Sequence, residues 1–278
     1  MTQALPVPGL LGRTRTGRLE LHFGVRGGQT VLRRDLQKAP LMVIRPFTLP
    51  CGTLMVFIVN PTGGVLGGDH SDITVQVDVG ARALLLTQSA TRVQPSPSGA
   101  AATQDLRFVV AAGGRLEYYP ERTLPFAGSR FVQTVRADLD PGAQFGLTET
   151  LASGRVHSGE RLAFAEYASR VEVWQGGRRV YLDRQRLCPG DHTRAPGVWG
   201  NHDYAASGVW VGPGRADLPP EAWPAVPGLL ACGESAGGAV WLRASAARGL
   251  DLDRHVLAAR DHLRARLFGA EPLRVRRS

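Results

Sequence analysis

The chain has 278 residues, 43% of them hydrophobic, and at that length about 75% of the unfolded surface can be buried, enough for a real core. Its net charge of +9 is nearly all arginine, with Lys38 the sole lysine; the arginines are scattered and no base-stacking aromatics are interleaved among them, which argues against a nucleic-acid arm and suits an acidic protein partner. Cys51, Cys188 and Cys232 are too far apart for a disulfide framework or a CxxC zinc site, and neither an apolar leader nor an apolar run longer than residues 54–59 occurs, so the expected protein is soluble, reduced and cytoplasmic, without a membrane segment.

Strand signals dominate from the start. Apolar runs at residues 19–23, 31–32, 42–44 and 54–59 lead to the stretch Asn60-Pro61-Thr62-Gly63-Gly64-Val65-Leu66-Gly67-Gly68-Asp69. After it, Ile73, Val75, Val77 and Val79 alternate with Thr74, Gln76 and Asp78, the period of a half-buried strand. Glycine-rich loops that cradle phosphate usually feed a helix N-terminus. This one feeds a strand, and it has neither the Lys-Ser/Thr of a P-loop nor GxGxxG spacing. It reads as a tight corner in which glycine supplies positive φ, with Asp69 held at its end. Further strands are predicted at residues 83–87, 106–110, 116–119 and 131–135. The clearest hairpin joins 171–175 to 178–182 through Gly176-Gly177, a pair suited to a primed turn. Gly27-Gly28 and Gly113-Gly114 read as further hairpin turns.

The expected fold class is therefore mainly β, with stacked, largely antiparallel sheets and few helices. Residues 94–99 read as an irregular loop, and residues 212–228, with five prolines and Trp223, as a long connection. Both are expected to order on partner binding. No internal repeat of fixed period is evident. Near the end, Leu252, Val256, Ala259, Leu263 and Leu267 recur at helical spacing before Gly269, which predicts an amphipathic helix with His255 and His262 solvated near its polar side. The organisation expected is one domain: a β-rich body over about 19–211, the connection 212–228, and a strand and helix within 229–270.

Two local motifs compete for attention. Gly233-Glu234-Ser235-Ala236-Gly237-Gly238 matches the GxSxG nucleophile elbow of carboxylesterases. That fold needs its acid and histidine on later strands of a parallel sheet, whereas Asp251, Asp253, His255 and His262 all lie on or beside one predicted helix, and no βαβ alternation precedes the serine. Cys188-Pro189-Gly190-Asp191-His192 offers three possible metal ligands, but Pro-Gly is first a turn signal and no second cluster completes a four-ligand site.

The glycine corner has companions. Pro61 to Asp69 follow a PPGG-(two apolar)-xGD pattern, and Arg45-Pro46-Phe47 stands upstream. Gly80-Ala81-Arg82-Ala83-Leu84-Leu85-Leu86-Thr87-Gln88-Ser89-Ala90-Thr91-Arg92 comes next, then Leu116-Glu117-Tyr118-Tyr119-Pro120 with Phe126 and Gly128. Glu149, Gly154-Arg155 and Gly159-Glu160 complete the series. In that order the blocks resemble those of the UreD (UreH) family of urease accessory proteins, over about residues 19–270. The chain departs from the family pattern at Thr62, where a second proline is usual, at Glu121-Arg122, and at Ala127, where aspartate is common.

The resemblance implies a non-catalytic chaperone of mainly β fold. It would bind apo-urease (UreABC), recruit UreF and the nickel-carrying GTPase UreG, and help deliver Ni²⁺ to a lysine-carbamate dinickel site through an internal channel. By position it carries the nickel path to Asp69, Thr91, Glu149 and Asp183, and to Glu160 beside them, with transient Ni²⁺ and no tightly bound cofactor. The chemistry of these residues is compatible: Ni²⁺ holds imidazole and thiolate tightly but carboxylate weakly, so separate carboxylates suit passage and release. A solvated or arginine-paired role is the alternative for each acid. Two other functional readings stand beside this one: a serine hydrolase using Ser235, and a basic β-rich module binding RNA or an acidic protein.

Overall fold

The computed structural model describes residues 15–96, 98–190, 193–195, 198–214 and 225–273. Asp191, His192, Trp223, most of the proline-rich connection and the arginine-rich tail lie outside the described residues. The strands are β1 (Thr16–Arg26), β2 (Gln29–Lys38), β3 (Met42–Val43), β4 (Phe47–Thr48), β5 (Leu54–Val59), β6 (His70–Val77), β7 (Arg82–Thr87), β8 (Thr91–Val93) and β9 (Ala102–Val110). They continue with β10 (Arg115–Tyr119), β11 (Thr123–Pro125), β12 (Arg130–Leu139), β13 (Gln144–Ala152), β14 (Glu166–Gln175), β15 (Arg178–Leu187), β16 (Tyr204–Val211), β17 (Leu229–Glu234) and β18 (Val240–Ala246). Helix α1 (Gly249–Phe268) follows.

Two sheets stack face to face. The first has seven strands in the order β15-β14-β12-β9-β6-β1-β2; the second has eleven, with β17-β18-β16-β13-β10-β7-β5-β3 as its main path. The mainly β class, the stacked sheets and the C-terminal helix agree with the sequence. The strand directions do not agree. Strands β6, β9, β12 and β14 pair parallel in the first sheet, as do β5, β7, β10 and β13 in the second. Antiparallel pairing is confined to the flanks, as in β1–β2, β14–β15 and β13–β16. The cause is that from β5 to β14 the chain alternates between sheets, so each return to a sheet runs in the same direction.

The alternation depends on turns that pass the chain from one layer to the other. Gly80, Gly113 and Gly142 take φ of 73°, 68° and 80°, inside turns closed by Ala81 N–H to the Asp78 carbonyl (3.1 Å), Gly114 N–H to Ala111 (2.9 Å) and Ala143 N–H to Asp140 (3.0 Å). A positive φ two residues into such a turn is where glycine is favoured. The turns stack, with Gly113 N–H donating to the Gly142 carbonyl at 3.2 Å. Gly113-Gly114 is thus an inter-sheet corner and not a hairpin turn, whereas Gly27-Gly28 and Gly176-Gly177 do close hairpins.

The core lies between the sheets. In the first, Leu19, Ile73, Leu106, Val135 and Val171 stand in register across five strands. Opposite them Leu54, Val56, Leu85, Leu116 and Phe145 complete one buried cluster. Each such side chain contributes about 1.5–3 kcal/mol on burial. The outer face of the second sheet is covered by α1, whose Leu252, Val256, Ala259, Leu263 and Leu267 pack on Trp210 and Leu242. Arg264 from this helix and Glu117 from β10, both fully buried, pair at 2.6 Å. The Tyr119 hydroxyl donates to the same carboxylate at 3.0 Å. Desolvation offsets much of that attraction, so the apolar stripe supplies most of the docking energy.

Candidate functional site

The glycine corner carries the chain from β5 to β6. Gly64 has φ of 129°, and a Cβ there would lie 2.4 Å from the Arg92 carbonyl oxygen; one on Gly67 would lie 2.0 Å from Ser96 Cβ. The next coil stacks directly on the corner, through Val65 N–H to Arg92 (2.8 Å), Gln94 N–H to Val65 (2.8 Å) and Gly68 N–H to Ala101 (2.9 Å). These glycines therefore serve close backbone approach. Asp69, 6% exposed, accepts the Arg15 amide on Oδ1 and the Leu66 amide on Oδ2, each at 2.9 Å. It caps the corner and ties down the chain just ahead of β1.

A different pair of predicted residues comes together between the sheets. On the inner face of the first sheet, Ser71, Gln104, Gln133, Ser169 and Gln185 stand in register on five neighbouring strands. On the facing sheet Glu149, Ser207 and Arg243 form a second polar row on β13, β16 and β18. The rows meet at Glu149. Gln133 Nε2 donates to its Oε1 and the Ser169 hydroxyl donates to Oε2 at 3.2 Å. Buried polar groups persist only when bonded; here Gln133 and Ser169 bond Glu149, and the polar rows run as a seam through an otherwise apolar interior. Asp183 lies one inward position along β15 from Gln185, whose Nε2 donates to Asp183 Oδ2 at 3.1 Å; Arg243 Nη2 donates to Oδ1.

Burial pushes the Glu149 carboxyl up to about 7; the Asp183 charge adds to the rise, while the Ser169 and Gln133 hydrogen bonds and Arg243 oppose it. Tyr167 and Tyr181, also beside the seam, are held well above the ordinary phenol value by burial. Near neutral pH Glu149 can thus exchange a proton for a cation, and a single oxygen donor set of this kind holds a divalent transition metal weakly. Among the described residues no group of three or more His, Cys, Asp and Glu is placed to hold a metal.

Two cavities flank the seam. One of about 1150 Å³ is bordered by Glu149, Tyr167, Gln185, Ser207 and Arg243. The other, about 610 Å³, is bordered by Tyr181, Asp183, Ser235, Trp241 and Arg243.

The remaining predicted residues lie elsewhere. Thr91 sits in the short β8–β11 ladder, its amide donating to the Arg122 carbonyl at 3.0 Å. Glu160 pairs with Arg155 (Nε to Oε2, 2.9 Å) and accepts the Ala127 amide at 3.2 Å; the Arg155 hydrogen bond keeps its carboxyl below the usual range. Of the five predicted residues, the structure brings Glu149 and Asp183 close enough to act on each other electrostatically, in neighbouring bonded groups of the seam, and leaves Asp69, Thr91 and Glu160 elsewhere. Gln133, Ser169, Gln185, Ser207 and Arg243 were missed. Their signal is a polar residue on the apolar parity of a strand, as Gln133 between Phe131 and Val135, or Ser169 between Tyr167 and Val171.

Ser235 does not sit on a nucleophile elbow. It lies in the turn between β17 and β18, an antiparallel hairpin, where a strand and a helix were needed. Its hydroxyl donates to the Val180 carbonyl at 2.8 Å and accepts the Ala239 amide at 3.0 Å. A Cβ on Gly237 would lie 2.5 Å from Val180 Cα. The GESAGG segment pins the β17–β18 hairpin to β15.

The profile of the UreD urease accessory protein family matches residues 15–277. A urease accessory protein UreD from Deinococcus radiodurans is 66% identical over 275 residues, covering 98% of this chain and 99% of its own length. One from Haloarcula marismortui is 32% identical, covering 97% and 93%. One from Sorangium cellulosum is 40% identical over 202 residues, covering 73% and 64%.

Proposed function

Because this chain belongs to the UreD family of urease accessory proteins, chaperones and not enzymes, we propose that it escorts Ni²⁺ to apo-urease along the polar seam between its sheets. The observation that carries the reading is Glu149, a half-buried carboxylate between the sheets that borders the larger cavity and whose carboxyl desolvation pushes up to about 7. A conduit needs donors that bind weakly and release, and isolated carboxylates braced by Gln133, Ser169 and Gln185 supply that. Asp183 continues the path; Asp69, Thr91 and Glu160 support it by holding the corners of the coils. The proposed partners are UreF, UreG and the urease apoprotein UreABC, all cytoplasmic. Nickel is cargo in this scheme, and no tightly held cofactor takes part. No helix among the described residues is long and apolar enough to cross a membrane.

The test is urease activation in cells co-expressing urease and its accessory proteins. Glu149→Gln preserves shape and can keep both contacts, its carbonyl accepting from Gln133 and its amide donating to the Ser169 hydroxyl, but removes the exchangeable charge. It is expected to lower urease activity about tenfold, the usual scale for perturbing a metal-handling group, while pull-down of urease and UreF stays unchanged. Loss of the complex would make Glu149 structural, and full activation would move the path away from the seam.

A further inference from the structure

The two cavities share one lining residue among those described, Arg243. The order along both walls is the same. On β18, Trp241 borders the smaller cavity, Arg243 borders both and Ser245 borders the larger. On β15, Tyr181 and Asp183 border the smaller cavity and Gln185 the larger. The Arg243–Asp183 ion pair therefore lies across the waist between them, joining the second sheet to the first. Gln185 braces Asp183 from the side of the larger cavity. The Arg243 side chain keeps 40% of its exposure and Asp183 only 12%, so the arginine is the partner with room to move.

We propose that Arg243 is a removable crossbar that holds the two cavities apart and keeps Asp183 from a divalent cation; this rests on the nickel-path reading above. While paired, the guanidinium neutralises Asp183 and turns positive charge toward both cavities. A fixed arginine in a pore raises an electrostatic barrier to cations, and at a partly buried position that repulsion amounts to several times thermal energy. A Ni²⁺ ion in the larger cavity stops at Glu149. When Arg243 swings off Asp183 the waist opens and the second carboxylate becomes available, so the ion moves from one acid to the next.

Equilibrium dialysis of Ni²⁺ against the purified full chain tests this without any urease present. Arg243→Gln should bind Ni²⁺ at least about tenfold more tightly than the unaltered chain, the scale of one freed carboxylate beside a cation. Arg243→Lys, which keeps the charge, should stay close to the unaltered chain. The Arg243→Gln/Asp183→Asn double variant should lose the gain. The proposal is overturned if Arg243→Gln binds no more tightly, if Arg243→Lys matches it, or if the double variant keeps the gain. Should Arg243→Gln fold poorly, Asp183→Asn alone still decides: the unpaired arginine should weaken Ni²⁺ binding, and unchanged or tighter binding refutes the crossbar. A positive result together with full activation by Glu149→Gln would leave the crossbar standing and remove the nickel path.

Discussion

Asp69 and Glu149 are both acids at inward positions, and their partners separate their roles. Asp69 has each carboxylate oxygen filled by a backbone amide, so its charge is committed to the corner. Glu149 is bonded by side chains and opens onto a cavity. Asp69→Ala should leave two amides unpaired, at about 1–3 kcal/mol for each that stays buried. The expected result is a melting temperature lower by several degrees, with a smaller loss for Asp69→Asn. An unchanged melting temperature with lost urease activation would instead make Asp69 a nickel-path residue. Sequence alone could place Asp69 after a glycine corner but not say which groups reach its oxygens, because Arg15 is distant in the chain.

At the scale of elements, helix α1 was legible in its period and its stop. Gly269 takes φ of 57° and its amide returns to Ala265 at 3.1 Å, a left-handed C-terminal cap. His255 corrects the reading that placed it on the solvated side. It is 3% exposed, because the buried stripe is wide enough to include a residue three after Leu252 and four before Ala259. Burial lowers its pKa below the ordinary value, against opposing pulls from the Pro227 and Val226 backbone and from Asp251. Since the unfolded imidazole takes up the proton first, stability is full above about pH 6.5 and falls as pH drops below it. Urea midpoints measured from pH 7.5 to 5 should decline in the native chain and decline less in His255→Leu. Equal slopes would show that His255 does not titrate on unfolding.

For the whole molecule, the parallel coils set the pattern of stability. Each central strand is paired on both sides within its sheet and packed against the other sheet, whereas β3 and β17 are edges and Leu229 on β17 is 66% exposed. In such a stack, opening begins where neighbours are fewest. Amide hydrogen exchange should be slowest in β9, β10 and β12 and fastest, among the strands, in β17 and β3; uniform protection across the sheets would contradict this. The β17–β18 edge also carries Arg243, so the element that closes the waist between the cavities belongs to the less protected part of the protein.

The amino-acid sequence by itself determined that this protein is mainly β, where most strands run, where the C-terminal helix lies, and which family its ordered blocks resemble. Those properties are local: alternation, glycine at positive φ and helical period are written within a few residues. The tertiary structure alone decided that the central strands run parallel. A glycine turn looks the same whether it folds a strand back on itself or hands it to the facing sheet, so direction depends on which distant strand is met. It also decided the site. Glu149, Asp183, Gln133, Ser169 and Arg243 come from five strands in two sheets, and only the stacking of those sheets turns isolated polar residues into one seam. Ser235 shows the converse: its motif was clear in the sequence, and its surroundings are a hairpin turn and not the strand-to-helix elbow the motif needs.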